Sequence, residues 1–389
     1  MIDDVATLAR HAAVRRILDS FEADLDTIIE RAISVQQIAA PTFAEARRAD
    51  YIEEQLRQIG LADVQRDEMD NVYGRLPGSI PGKPVVISAH SDTVFSAGQD
   101  LRVVRGDGHV AGPGIADNSL GVAALLTLAE TMRAHKLQPR RDIWFVSNVG
   151  EEGLGDLRGM RAVVEHFGAA AAYLVLEGGL FGFVCHEAIG VRRYRITVQG
   201  PGGHSWGAFG TPSAIHVMAK IIAALETLPL PAKPKTTYNA GVIEGGTTVN
   251  TIARCATMLL DLRSAGEAEL AELVAGVEGI VEQFTTAEVR ITLESIGERP
   301  AGRLGKKAPL VQEAVAALRA VGHEAIEFTA GSTDANIPLS RGYPAVCIGI
   351  TRAANTHRPD EYMETAPIAR GIGQALLLLL AAAGLDQQG

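Results

Sequence analysis

The chain is short of positive charge, of cysteine and of any long apolar run. Its 36 Lys and Arg face 46 Asp and Glu, a formal net charge of −10. Nucleic acid and anionic membrane surfaces want a basic face, so the balance argues against both and suits cation binding instead. The three cysteines, Cys185, Cys255 and Cys347, are an odd number without metal-type spacing. They read as small core hydrophobes in a reducing cytoplasm, not as a disulfide framework. The greasiest stretch, "ALLLLLAAAGL" near the C-terminus, is too short to span a bilayer and reads as a buried helix. "MIDDVATLAR" carries acid where a secretory leader carries base, so a soluble, untargeted protein is expected. Convincing repeats and low-complexity tracts are also missing.

What is there looks like an ordinary globular protein, 47% hydrophobic and 21% charged. At 389 residues it exceeds one core, so two domains are expected. Helical patterns around Phe21–Gln37 and Ala44–Ile59 are followed by apolar strands at Val85–Ala89, Ile143–Asn148 and Tyr173–Leu176. Their near-continuous Val, Ile, Leu and Phe is the pattern of strands buried on both faces of a parallel sheet. "NSLGVAALLTLAETMRAH" reads as a helix between two of them, with Asn118 or Ser119 as N-cap.

From Val191 the pattern alternates, in "VRRYRITVQG", "ATMLLDLRS" and "VRITLES". Helical stretches lie around Ser213–Thr227 and Glu267–Phe284, with a strand near Tyr238–Ile243. The order β-α-β-β-α-β is that of a ferredoxin-like unit. A helix near Leu310–Val321 and the strand "PAVCIGI" then restore the first texture. The expected fold is α/β: a mostly parallel-sheet catalytic domain with helices on both faces, residues 1–188 and 299–389. An inserted ferredoxin-like α+β domain is expected at 189–298.

In such sheets ligands bind beyond the C-terminal strand ends. His90 and Asp92 follow the first apolar run, Glu151 and Glu152 the second, and Glu177 ends the third. His357 comes shortly after the last, and Asp117 sits in a glycine-containing loop before a helix. Singly, each is more often a cap, a surface pair or a loop residue. Five segments converging on one sheet edge is a stronger signal. Carboxylates gathered without cations repel one another and are costly to bury. Divalent metal removes the difficulty, and mixed imidazole and carboxylate donors suit zinc, or less often cobalt or manganese. Paired metals sharing a carboxylate and a water are a recurrent hydrolytic arrangement. Asp92 is placed to fix the tautomer of His90.

The blocks "SAHSDTV", "GPGIADNSLG", "NVGEEGLGD", "LEGG" and "NTHRPDE" together resemble the signatures of the di-zinc exopeptidase and deacylase family. That family includes glutamate carboxypeptidase, aminoacylase, acetylornithine deacetylase, succinyl-diaminopimelate desuccinylase and peptidase T. The resemblance covers nearly the whole chain. It implies two divalent metal ions per subunit, Zn2+ first, with Co2+ or Mn2+ as alternatives. It makes Asp117 the shared ligand, His90 and Glu177 the rest of one site, and Glu152 and His357 the rest of the other. Glu151 is then the general base, Asp92 orients His90, and the Asp117–Asn118 peptide is cis. The family more often has an acid and a lysine after the shared aspartate, where this chain has "DNS".

The inserted domain corresponds to a lid that dimerises in the family. There "GPGGHSWG" gives His204, matching a histidine that reaches the partner subunit's active site and steadies the oxyanion. Asn250 of "GGTTVN", Arg263 of "DLRS", and Gly331 and Ser332 of "GSTDAN" correspond to substrate contacts. The implied activity is hydrolysis of an amide or peptide bond in a small substrate. Glu177, where peptidase T-like members tend to have aspartate, leans towards an N-acyl amino acid or short peptide with a free C-terminal carboxylate. A peptidase T-like di- or tripeptidase is the alternative, and a non-catalytic binding relative a distant third. The implied partner is a second copy, with no nucleic acid and no membrane.

Overall fold

A computed structural model describes residues 4–386. The chain divides into two compact units, one running to Glu187 and resuming at Arg303, the other Ala188–Gly302.

The first unit is built on a mixed sheet with helices on both sides. Its strands run in the order Ala62–Arg66, Val72–Leu76, Ile143–Asn148, Val85–His90, Ala172–Glu177, Ala345–Gly349, Phe183–Ala188. The four from Ile143–Asn148 to Ala345–Gly349 are mutually parallel. Val72–Leu76 and Phe183–Ala188 flank them antiparallel. The parallel centre is therefore real, while the edges turn the sheet mixed. Its strands end level, with His90 paired to Asn148 and Glu177 to Gly349. Polar residues following these ends share one edge by construction.

The apolar C-terminal run is a core helix, Ile368–Ala383, with Leu376 to Leu380 fully buried. Truncating any one of them to alanine should cost about 2–5 kcal/mol of stability. Ala46–Ile59 stops at Gly60, whose φ of 82° suits a residue without a β-carbon. The single helix expected over Phe21–Gln37 is two, Ala12–Ala23 and Leu25–Gln36. They are separated at Asp24, whose φ of −92° and ψ of 5° leave helical geometry. Among the described residues, no helix is long and apolar enough to cross a membrane.

In the second unit the sheet is antiparallel, ordered Thr236–Gly245, Cys255–Ser264, Gly190–Gln199, Arg290–Arg299. Helices Ala214–Leu225 and Glu267–Phe284 pack against it. Ile196, Val198, Met258, Leu260 and Leu262, spaced two apart, face a core shared with Met218, Ile221, Leu273 and Val277. Topology and strand order are those of a ferredoxin-like unit. One cysteine departs from expectation: Cys255, the first residue of its strand, is exposed. Cys185 and Cys347 are buried opposite each other on neighbouring strands, and all three thiols are free.

Candidate metal and active centre

Among the described residues, two groups of metal-capable side chains form in the first unit, His90 with Asp117 and Glu177, and Asp117 with Glu152 and His357. Donor atoms within each group lie within 4.8 Å of one another. His90 Nε2 is 3.2 Å from Asp117 Oδ1 and 3.7 Å from Glu177 Oε2. His357 Nε2 is 3.2 Å from Asp117 Oδ2 and 3.0 Å from Glu152 Oε1. The two oxygens of one carboxylate thus serve different groups, the geometry of a shared ligand. His90, Glu152 and Glu177 are buried, and His357 is exposed. One imidazole and two carboxylates per group, gathered at a buried edge, fit a divalent ion such as zinc.

The electrostatics show the same tension. Burial pushes the Glu152 and Glu177 carboxyls up, against the imidazoles hydrogen-bonded to them. Burial opposes ionisation of Asp117 too, but hydrogen bonds to His357 and His90 win and hold it below the usual carboxylate range. Burial alone would lower His90, yet its hydrogen bonds to Asp117, Asp92 and Glu177 push it well above its ordinary value. Hydrogen bonds to Asp117 and then Glu152 raise His357 to about 10. Without metal, these contacts favour a proton on each imidazole.

The neighbouring contacts fix these donors. Asp92 lies 3.5 Å from His90 Nδ1 and accepts the N–H groups of Glu151 and Glu152 at 2.9 and 3.0 Å. Thr42 donates its hydroxyl to Asp92 Oδ2 at 2.8 Å. Glu151 is buried beside Glu152.

The Asp117–Asn118 peptide is cis. Asn118 does not cap the following helix, Gly121–Ala134, which begins without a side-chain cap. Its amide instead donates to the Leu176 carbonyl at 2.9 Å and accepts the Gly178 N–H at 2.8 Å. It therefore clasps both peptide groups around Glu177. The approach is tight enough that a β-carbon on Gly178 would sit 1.9 Å from the Ala116 carbonyl oxygen.

Two carboxylates escaped the sequence reading. Asp334 is fully buried, takes the Asn148 amide at 2.7 Å, and is pushed up to about 7, chiefly by burial. Glu361 is fully buried and accepts backbone N–H groups from Ala116 and Asp117. Glu361 lies inside the block "NTHRPDE" but has no local pattern to mark it.

Among the remaining candidates, Gly331 ends the strand Glu327–Gly331 in the first unit, near the Cys185 thiol, and Ser332 follows it. His204, Asn250 and Arg263 belong to the second unit. His204 pairs in register with Thr251, next to Asn250, whose carbonyl accepts the Ser205 N–H at 3.0 Å. Arg263 sits near the end of its strand, bonded to Asp261 at 2.7 Å, and Asp261 also takes Arg193 at 3.1 Å. The structure groups His204 with Asn250 but holds Arg263 in an ion-pair network.

A family model described as Peptidase family M20/M25/M40 matches residues 86–381. The chain belongs to that family. Carboxypeptidase G2 of Pseudomonas sp. is 24% identical over 373 residues, covering 90% of this chain and 88% of the relative. Succinyl-diaminopimelate desuccinylase of Corynebacterium glutamicum is 28% identical over 334 residues, covering 83% and 88%. In three dimensions the fold resembles a tripeptidase from Staphylococcus aureus, with a TM-score of 0.77 at 21% identity over 92% of this chain and 98% of that one. The chain is therefore a hydrolase of the M20/M25/M40 type, and its two donor groups fit a metallopeptidase.

Proposed function

We propose that the chain hydrolyses the amide or peptide bond of a small substrate with a free C-terminal carboxylate, an N-acyl amino acid or short peptide. The observation that carries this is the divided carboxylate of Asp117, with Oδ1 towards His90 and Oδ2 towards His357. His90 and Glu177 would hold one divalent ion, Glu152 and His357 a second, with Asp117 shared and Zn2+ the first choice. When bound, the ions supply polarisation of the scissile carbonyl and acidify water. Glu151 takes the proton of the attacking water and passes it to the leaving amine. Asp92 keeps His90 and both glutamates in place.

In this reading Ala188–Gly302 is the lid through which two copies pair, and His204 serves the partner's site. Its ring supports that role. Nδ1 faces the N–H groups of Trp206 and Gly207 at 3.3 and 3.4 Å, which leaves the proton of the neutral ring on Nε2. An N–H donor is what a developing oxyanion needs. Asn250, Arg263, Gly331 and Ser332 are the proposed substrate contacts. The names of the carboxypeptidase and desuccinylase relatives support the carboxylate-bearing substrate, and three free thiols support a reducing cytoplasm.

The test is a hydrolysis screen of N-acyl amino acids, N-blocked dipeptides and free di- and tripeptides with added Zn2+, Co2+ or Mn2+. Cleavage of N-acyl or N-blocked substrates is expected. Cleavage confined to peptides with a free amino terminus overturns the reading in favour of an aminopeptidase.

A further inference from the structure

We infer that Glu361 is a positioning residue for both donor groups, its one carboxylate setting the backbone on either side of them. The inference rests on the metal reading above. Oε1 accepts the N–H groups of Ala116 at 2.8 Å and Asp117 at 3.0 Å. Oε2 faces the N–H of His357 at 3.4 Å. Asp117 is the residue common to both groups, and His357 completes the second. One side chain therefore ties together two segments that lie far apart in sequence.

Glu361 is itself held firmly. Its N–H donates to the Arg358 carbonyl at 3.0 Å, and its carbonyl accepts the Gly112 N–H at 2.8 Å. The turn it braces is an unusual one: His357 has a φ of 68° and Asn355 a φ of 59°, a region residues with a β-carbon seldom occupy. Such conformations persist where the surroundings over-determine them, and a carboxylate on the His357 N–H does so.

A fully buried carboxylate beside the anionic Asp117 is a costly way to meet structural needs alone. An amide oxygen could accept the Ala116 and Asp117 N–H groups without adding charge. What an amide cannot do is accept from His357 with its other end. The two-sided acceptor is the property that the site uses.

That difference supplies the experiment. Metal-free wild type, E361Q and E361A are titrated with Zn2+ against a chromophoric chelator, and with Co2+ by visible absorption. Wild type should take up two ions. In E361Q the amide NH2 meets the His357 N–H, so one site should weaken roughly 10- to 100-fold while the other stays within about threefold. E361A loses both halves of the brace and should weaken both sites. The unfolding midpoint of metal-free E361Q should stay close to wild type, which separates positioning from general support. Retention of both affinities in E361Q, or an equal loss at both sites with a lowered midpoint, overturns the inference. E361Q decides the matter if E361A does not fold. Wild type binding fewer than two ions sinks the metal reading itself, and this inference with it.

Discussion

Asp92 accepts the backbone N–H of Glu152 on its Oδ2 at 3.0 Å. Its other oxygen takes the N–H of Glu151 at 2.9 Å and lies 3.5 Å from the His90 ring. Asp92 thus contacts the proposed base and two of the proposed ligands, more than the single histidine that sequence spacing suggests. Asp92→Asn puts an amide nitrogen against an N–H, and turnover should fall roughly 10- to 100-fold. Steady-state kinetics with metal analysis checks this, and activity within about twofold of wild type rules out the role.

The adjacent glutamates should separate by metal content. Glu151→Gln keeps size and hydrogen bonding but cannot take a proton, so turnover should collapse by orders of magnitude with both ions retained. Glu152→Gln should lose an ion as well as rate, because its Oε1 stands 3.0 Å from His357 Nε2. Elemental analysis of both variants decides. A reversed pattern exchanges the two assignments.

Metal uptake should release protons. In the metal-free protein the neighbouring carboxylates favour a proton on His90 and on His357, the latter raised to about 10 by Asp117 and Glu152. Ions must displace those protons, so apparent affinity should rise with pH across the neutral and mildly alkaline range. For the metal-free fold the sign is opposite. A raised histidine stabilises fully below its ordinary value of 6.5, and that contribution fades as pH climbs to about 10. Calorimetry in buffers of different ionisation enthalpy should show a buffer-dependent heat, and the absence of one counts against the site.

His204 can be tested by complementation. His204→Ala alone should cost on the order of a hundredfold in turnover, as for loss of an oxyanion donor. Co-expressed with Glu151→Gln, random pairing makes about half the dimers mixed, each with one complete site, so roughly a quarter of wild-type activity should return. Mixed dimers shown to form without any return of activity would rule out action across the interface.

Much of the framework was legible because the signals are local. The run Ile143–Asn148 and the alternation through Met258, Leu260 and Leu262 are read from neighbours in sequence, and burial follows them. The ion pair that Arg263 makes with Asp261 is local as well, since residues two apart share a strand face, although the sequence pointed to Arg263 as a substrate contact. Asn118 was misread for the converse reason. A polar residue ahead of a helix looks like a cap, and its actual partners, Leu176 and Gly178, are supplied by a distant strand. Glu361 stayed hidden because the N–H groups it receives belong to Ala116 and Asp117, on another part of the chain.

The two donor groups also differ in when they can exist during synthesis. His90, Asp117 and Glu177 are all translated before the second unit begins at Ala188. The group of Asp117, Glu152 and His357 waits until the whole of that unit and the segment after it have been made. A nascent or truncated chain ending before His357 carries every residue of the first group and lacks one of the second. In the proposed reading such a chain lacks a ligand of the second ion, so the hydrolytic centre stays incomplete until His357 has been made.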